Sequence, residues 1–241
     1  ARRRGRRRTP PQLSAATFAM AWPAGATPLL PAIGHVLLAV LVLGASRIFF
    51  CLPRPGERRW SSPRRRSSPV RVMVVWGSGG HTAEMERALR CLPAERYTPL
   101  VFVLAQSDRT SEARIRGSEL AQRDVRWERI HRSREVKQSW VSTVWTTCVA
   151  LAHSIVLVAR TRPDLVVVNG PGTCVPVCYA AFLLRVLGLH QPMIVFFESL
   201  CRVQTLSLTG KLLYPIADRF IVQWPQLAET RLRAEYIGKM C

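Results

Sequence analysis

The residues best suited to chemistry follow an apolar run in VRVMVVWGSGGHT, residues 70–82. The run predicts a buried strand, and a helix predicted to begin near Thr82 points its free N–H groups and the positive end of its dipole at the turn between them. Glycines in this turn allow a ligand to approach the backbone. The turn is therefore a candidate phosphate site, with the imidazole of His81 beside it. Its residues are Gly77, Ser78, Gly79 and Gly80.

Two familiar phosphate-binding loops do not fit this turn. A Walker A loop needs Lys after its last glycine, and His81 stands there instead. The dinucleotide fingerprint fails because its third glycine would fall at Thr82, and because no acidic residue ends the next strand about 20 positions on. A nucleotide-dependent oxidoreductase is disfavoured on the same grounds. A structural turn that binds no ligand remains the alternative.

A second strand, VVVNGPGT at residues 166–173, runs through glycines into a helix in the same way. Open α/β sheets bind ligands at the carboxyl ends of their strands, so both loops are candidates for one site. Asn169 is expected either to donate its amide to a phosphate or sugar, or to tolerate a left-handed turn. Glu198 ends the next strand with Arg202 four residues on, an arrangement suited to chemistry or to a surface ion pair. The loop residues are Asn169, Gly170, Gly172 and Thr173.

Strand and helix patterns alternate along residues 70–241. Six apolar strands are predicted: VRVMVV, PLVFVLA, VRWERI, DLVVV, MIVFF and RFIVQW. Helical patterns separate them, including residues 111–123, 139–160 and 173–187. Because the strands are almost continuously apolar, helices must cover both faces of the sheet. The pattern predicts an α/β, Rossmann-like, doubly wound parallel sheet.

An apolar segment precedes the sheet. Residues 29–46 contain no Asp, Glu, Lys or Arg, and the run continues past Arg47 to Leu52, long enough to cross a bilayer. A cleaved signal peptide is the alternative, but a clean cleavage site is missing. The Arg-rich flank predicts that the following residues stay in the cytosol. We expect one transmembrane helix at 29–52, a Pro-, Ser- and Arg-rich tether at 53–69, and the α/β domain at 70–241.

Residues 139–159 form a second uncharged stretch, which contains two tryptophans. A second membrane span is one interpretation. The Ser, Thr and His content of this stretch and its position between two strands favour a helix packed on the sheet, which leans against the membrane through its tryptophans.

The net charge of +20 is concentrated near the N-terminus. Residues 1–19 carry six Arg and no acid, and residues 54–71 carry seven Arg against one Glu. A nucleic-acid surface would interleave basic and aromatic residues on a folded face, so nucleic-acid binding is not expected. Residues 1–28 are expected to form a disordered basic leader. Because the chain opens with Ala, Met20 is a candidate start, with residues 1–19 a translated upstream segment.

Seven cysteines are scattered along the chain without a C-x-x-C pair. This spacing argues against a zinc site and favours buried thiols in a reducing compartment. Asp-x-Asp is also missing, so a metal-dependent sugar-nucleotide site has no ligands. We expect neither a metal nor a cofactor.

Five ordered motifs give the chain a recognisable resemblance: GSGGHTAEM, HRSREVKQSW, NGPGTCVPV, ESLCRVQTLSLTGK and FIVQWP. Together they are similar to the membrane-anchoring subunit of the eukaryotic UDP-N-acetylglucosamine transferase of the dolichol pathway, over residues 70–241. Such subunits look like the N-terminal, acceptor-binding half of the bacterial GT-B glycosyltransferase that completes lipid II. A separate soluble catalytic subunit supplies the donor-binding half.

The resemblance implies the reaction and its location. GlcNAc passes from UDP-GlcNAc to GlcNAc-pyrophosphoryl-dolichol with inversion, which gives a β1,4-linked chitobiosyl lipid at the endoplasmic reticulum (ER) membrane. Only 17 residues follow Trp224, so a second Rossmann-like half is missing and the chain is expected to be inactive alone. Two hypotheses stay open. The chain either binds acceptor and supplies a reacting group, or is a pure membrane scaffold for the catalytic subunit.

The resemblance also implies residue roles. The glycines of both loops shape a cradle for the acceptor pyrophosphate. His81 aligns with the final His of the bacterial glycine loop and is the first candidate for general base, with helix capping or phosphate binding as its alternative. Glu198 is the alternative base, although Ser199 and Leu200 follow it where the bacterial enzyme has Gln-Asn. Candidate phosphate partners are Arg132, Arg134 and Arg202, and candidate partner-binding residues are Tyr236, Ile237 and Met240.

Overall fold

The computed structural model describes residues 29–56, 68–132, 140–170 and 172–239. The predicted leader at 1–28, most of the predicted tether, Arg134 and Met240 lie outside the described residues. The chain divides into two compact units, residues 1–43 and 44–241. The described part of the first unit is entirely helical.

Helices and strands alternate through the second unit, after one N-terminal helix. The described elements are α1 (Leu29–Cys51), β1 (Val72–Val75), α2 (Gly80–Arg90), β2 (Leu100–Ala105), α3 (Arg109–Arg116), β3 (Val125–Ile130), α4 (Trp140–Thr161), β4 (Leu165–Asn169), α5 (Cys174–Val186), β5 (Met193–Phe197), α6 (Leu208–Leu213), β6 (Arg219–Val222), α7 (Pro225–Glu229) and β7 (Ala234–Tyr236). A short 3-10 helix, Glu119–Gln122, precedes β3.

All strands join one parallel sheet in the order β3-β2-β1-β4-β5-β6-β7. The chain runs outwards from β1 to β3 and then returns to the middle of the sheet for β4. The connections after β1 and β4 therefore leave towards opposite faces, and a crevice opens between them at the carboxyl ends of the strands. This topology confirms the predicted doubly wound parallel sheet.

The central strands bury side chains on both faces. Val72 and Val74 belong to one core cluster with Met85 of α2, whereas Met73 on the opposite face of β1 belongs to another with Val177 of α5. All five side chains are almost inaccessible to solvent. Burial on both faces explains why these strands are apolar throughout and do not alternate with polar residues.

Three elements differ in detail from the sequence prediction. β7 was not among the six predicted strands, because its three residues, Ala-Glu-Tyr, contain no apolar run; it pairs with β6, and Arg219 forms an ion pair with Glu235 across the two strands. α2 begins at Gly80, two residues before the predicted start. The helix predicted at 111–123 is interrupted at Gly117, where the N–H of Gly117 bonds to the carbonyl of Ala113.

The helix α4 packs one of its faces into the core. Ala150, Ser154, Leu157 and Val158 are buried, and their spacing places them on one side of the helix. Trp145 is 72% exposed. Residues 142–161 are long and apolar enough to span a membrane by composition. The buried face is that of a helix packed on the sheet, as predicted.

The helix α1 is the stronger candidate for a membrane span. Residues 32–51 have a mean hydropathy of 2.0, and the large apolar side chains from Ile33 to Leu43 are exposed. In the second unit, the last turns of α1 contact α5. Arg47 Nε donates to the carbonyl of Val186 at 3.1 Å, and Cys51 is buried in the core. A cation at helix C-terminal carbonyls is stabilising, so the end of the candidate span is attached to the sheet domain.

Candidate functional site

Two glycine loops flank the crevice at the reversal of strand order. Gly79, after β1, and Gly170, after β4, have φ of 66° and 69°, in the left-handed region that other residues rarely adopt. Gly77, Gly80 and Gly172 do not have positive φ. The backbone conformation therefore requires glycine at one position in each loop, and the remaining glycines need another explanation.

Open space explains two of the remaining glycines. A Cβ added at Gly80 or Gly172 would meet no atom within 4 Å, so the two loops are open to solvent at these positions. A Cβ at Gly170 would instead lie 2.5 Å from His81 Nδ1 and 2.8 Å from Nε2, overlapping the ring. Gly170 thus allows the imidazole to lie directly against the backbone of the second loop.

Hydroxyl groups hold the first loop from the buried side. Thr82 Oγ1 donates to the carbonyl of Gly77 at 2.5 Å, and Ser111 Oγ donates to the same oxygen at 3.2 Å. Thr82, a predicted acceptor-binding residue, is only 1% exposed. Its hydroxyl points away from the crevice, so in this structure it fixes the shape of the loop. Ser78 and Gly79 are exposed on the outer side.

A hydrogen bond joins the two loops across the crevice. His81 Nδ1 lies 2.8 Å from Asn169 Oδ1, and Asn169 Nδ2 donates to Glu84 Oε2 at 2.8 Å. Because a carboxylate oxygen accepts, the amide NH₂ of Asn169 faces Glu84 and its oxygen faces the imidazole. Nδ1 of His81 therefore carries the hydrogen and donates. In the neutral imidazole Nε2 then carries the lone pair, which is the arrangement of a general base.

Sequence reasoning missed Glu84. It lies three residues after His81, on a neighbouring position of the same helix face, and is 8% exposed. A carboxylate three residues after His81, on the helix face that carries the apolar Met85 and Leu89, is the sequence signal that could have identified Glu84 as a site residue. Four donors reach its carboxylate: Asn169 Nδ2 at 2.8 Å, Ser199 Oγ at 3.2 Å, Leu200 N at 3.3 Å and Gln223 Nε2 at 3.4 Å.

Glu198 is fully buried in the loop between β5 and α6. Its Oε1 accepts from Ser199 N at 3.0 Å, and its Oε2 accepts from Ser207 N at 2.9 Å and from Ser207 Oγ at 3.1 Å. Ser207 is the N-cap of α6 and accepts in turn from Gly210 N. These contacts tie the loop to the helix, so the geometry favours His81 over Glu198 as the base.

The other predicted residues lie at different distances from the crevice. Thr173 is 6% exposed at the start of α5, and Arg202 is exposed in the loop after β5. Arg132 follows β3 and donates to Ser107 Oγ at 3.5 Å. Arg132 therefore lies at the end of a strand that is two strand spacings, about 10 Å, from β1 and its glycine loop. Tyr236 and Ile237, proposed for partner binding, are exposed at the β7 edge of the sheet.

A buried thiol lies below the second loop. Cys174 Sγ donates to the carbonyl of Asn169 at 3.7 Å, and burial raises the pKa of the Cys174 thiol to about 12. Burial also raises the pKa of Cys178. Because the thiolate is the reactive and metal-binding form, these groups are inert at neutral pH. They pack as small apolar residues, as predicted, but the prediction of buried thiols is wrong for Cys91, Cys148 and Cys201, which are exposed.

The strand order is that of a Rossmann-like domain, and structural neighbours identify it with one half of the GT-B glycosyltransferase fold. Two solved structures share this fold. MurG of Acinetobacter baumannii matches with a TM-score of 0.50 and 15% identity, over 71% of this chain and 45% of that chain. A UDP-N-acetylglucosamine 2-epimerase matches with a TM-score of 0.51 and 18% identity, over 68% and 44%. The similarity therefore spans less than half of each of these proteins.

Residues 72–240 match the sequence model of the family described as oligosaccharide biosynthesis protein Alg14 like, and the chain belongs to this family. Similar relatives are named UDP-N-acetylglucosamine transferase subunit ALG14. The rat protein is 47% identical over 73% of this chain and 88% of its own length. The human protein is 43% identical over 85% and 98%, and that of Yarrowia lipolytica is 44% identical over 83% and 94%.

Proposed function

We propose that this chain is the anchoring and acceptor-binding subunit of the UDP-GlcNAc transferase that adds the second GlcNAc to GlcNAc-pyrophosphoryl-dolichol. The names of its relatives support the transferase class. The relatives are named as a subunit of this transferase, which supports a separate soluble catalytic subunit that binds the donor. The enzyme works on the cytosolic face of the ER membrane, to which α1 anchors this subunit.

The observation that carries the proposal is the hydrogen bond from His81 Nδ1 to Asn169 across the crevice. It places an imidazole with a defined tautomer between two glycine loops, at the point where this fold binds its ligands. A purely structural histidine would need no open space beside it. Gly80, next to His81 in the chain, and Gly172 in the second loop have open space around an added Cβ, which supports room for a ligand at the two loops.

The acceptor pyrophosphate lies at the first turn of α2. A helix N-terminus leaves N–H groups without intrahelical partners and carries a positive partial charge, so it attracts phosphate oxygens. Gly79 and Gly80 present bare backbone there. Arg202 is the candidate cation for the same anion, because it is exposed on the loop after β5 and Leu200 of that loop donates to Glu84 of α2. The dolichol chain extends from the pyrophosphate into the membrane that holds α1.

His81 Nε2 takes the proton from the attacking hydroxyl of the acceptor sugar. As that oxygen bonds to the anomeric carbon of UDP-GlcNAc, the bond from this carbon to the UDP oxygen breaks on the opposite face, and UDP leaves with the bonding electrons. The anomeric centre is inverted. Throughout, Asn169 accepts from Nδ1–H and holds the ring. Positioned proton transfer of this kind contributes about 10²- to 10⁴-fold to the rate.

The proposal is tested with His81→Ala in the co-expressed pair of subunits. The kcat for GlcNAc transfer to a GlcNAc-pyrophosphoryl lipid should fall by about 10²-fold or more, with recovery of the catalytic subunit in a pull-down unchanged. Glu198→Gln is the matched comparison. If only Glu198→Gln lowers kcat and His81→Ala merely raises the acceptor KM, the base is Glu198. If both variants turn over normally, the chain is a scaffold without a reacting group.

A further inference from the structure

Glu84 connects the ends of several strands under the crevice. Its donors come from Asn169 at the end of β4, from Ser199 and Leu200 after β5, and from Gln223 after β6. Glu84 itself is on α2, directly below the first glycine loop. A buried carboxylate is unfavourable unless every oxygen is satisfied, and here hydrogen bonds from three separate segments satisfy it.

The consequence of this arrangement reaches His81 through Asn169. An asparagine amide can be turned with either its oxygen or its nitrogen towards a neighbour. With the oxygen towards His81, Nδ1 holds the hydrogen and Nε2 has the lone pair. With the nitrogen towards His81, Nδ1 must accept, the hydrogen moves to Nε2, and the ring cannot take a proton from the substrate at that atom.

We propose that Glu84 is a positioning residue for His81, which fixes the amide of Asn169 and thereby selects the tautomer with a basic Nε2. This inference rests on the proposed function of His81 as the general base. Glu84 is buried, and its effect on His81 passes along one chain of hydrogen bonds. The carboxylate accepts from Asn169 Nδ2, and Asn169 Oδ1 accepts from His81 Nδ1.

The experiment compares Glu84→Gln with Glu86→Gln in the co-expressed full-length subunits. Glu86 is a matched control because it lies on the same helix and is also 8% exposed, but it pairs with Arg90 and Arg114 outside the crevice. A glutamine at 84 can donate to Asn169 and turn its amide round. Glu84→Gln should therefore lower kcat by about 10-fold or more while the acceptor KM changes less than about twofold. Glu86→Gln should keep the wild-type kcat.

A double variant separates positioning from a general structural role. If Glu84 acts through His81, adding Glu84→Gln to His81→Ala should change kcat by less than about twofold, because groups that act as one unit are not additive. Asn169→Ala breaks the chain in the middle and should show the same dependence. It also replaces Glu84→Gln as the test if that variant is not recovered with the catalytic subunit.

The outcomes distinguish this inference from the proposed function. Loss of kcat in His81→Ala together with a normal kcat in Glu84→Gln overturns the positioning role and leaves the base intact. An equal loss in Glu84→Gln and Glu86→Gln, or a further multiplied loss in the His81→Ala background, also overturns it. A normal kcat in His81→Ala overturns the base assignment itself, and the role of Glu84 with it.

Discussion

Replacing Gly170 by alanine should displace His81 without unfolding the chain. The new Cβ would lie 2.5 Å from Nδ1, whereas ordinary contacts are about 3.5 Å, so the ring must retreat by about 1 Å. The 2.8 Å bond to Asn169 would then exceed hydrogen-bonding distance. A misplacement of about 1 Å can cost about 10²-fold in rate, so we expect kcat to fall by roughly that factor.

The same substitution has a calculable cost in stability. Alanine in the left-handed region costs about 1–2 kcal/mol, which corresponds to a fall in Tm of a few degrees for a chain of this size. Gly188 is a matched control because its φ is 72° and its added Cβ would meet only the end of the Arg47 side chain, at 3.3 Å. Gly188→Ala should show a similar fall in Tm with unchanged kcat.

Transfer of labelled GlcNAc to a short-chain GlcNAc-pyrophosphoryl lipid by the co-expressed subunits measures both variants, with thermal denaturation alongside. Combining Gly170→Ala with His81→Ala should give the kcat of His81→Ala alone, since no ring remains to displace. A Gly170→Ala enzyme with kcat within about threefold of wild type would refute the placement of His81 against this glycine, because a 1 Å displacement predicts a far larger loss.

Further predictions concern the cradle, the membrane and the partner. Gly80→Val and Gly172→Val should abolish transfer and keep partner binding, because their side chains fill open crevice and not core; near-normal transfer would show that the acceptor binds elsewhere. Protease added to intact microsomes should digest the α/β domain, and protection would contradict a cytosolic orientation. Deleting residues 236–241 should reduce recovery of the catalytic subunit but not membrane insertion, and unchanged recovery would remove the C-terminus from the interface.

The sequence was sufficient to predict the fold because local patterns encode it. Each central parallel strand is a continuous apolar run that ends close to a glycine or a polar residue. The sequence pattern therefore predicted both that these segments are strands and where they lie in the chain. β7 could not be found this way because a short edge strand needs no apolar face. Among the glycines, sequence could not separate Gly79 and Gly170, which need left-handed backbone, from Gly80 and Gly172, which border open space.

The candidate site was predicted only where a residue sits in a loop motif. His81 and Asn169 were visible because both adjoin glycines at strand ends. The roles predicted for Asn169 were wrong, however, because its amide donates to Glu84 and its φ is not positive. Glu84 could not be predicted in this way, because its role depends on hydrogen-bond partners 85, 115 and 139 positions away along the chain. The residue type of Glu198 and its position at a strand end suggested a catalytic role. In the structure its carboxylate accepts from Ser207, nine residues later, and no local sequence pattern predicts this contact.

The network around His81 bears on the proposal that the transferase is divided between two chains. Within this chain Gly170 and Asn169 lie against the ring, and Glu84 accepts a hydrogen bond from the amide of Asn169. The buried carboxylate of Glu84 accepts from Asn169 and Ser199, which restrains the amide that faces the imidazole. If the base is oriented before the catalytic subunit arrives, that subunit needs to bring only the donor and its leaving group. Dependence on a partner would then reflect a missing substrate site, and not an unassembled base.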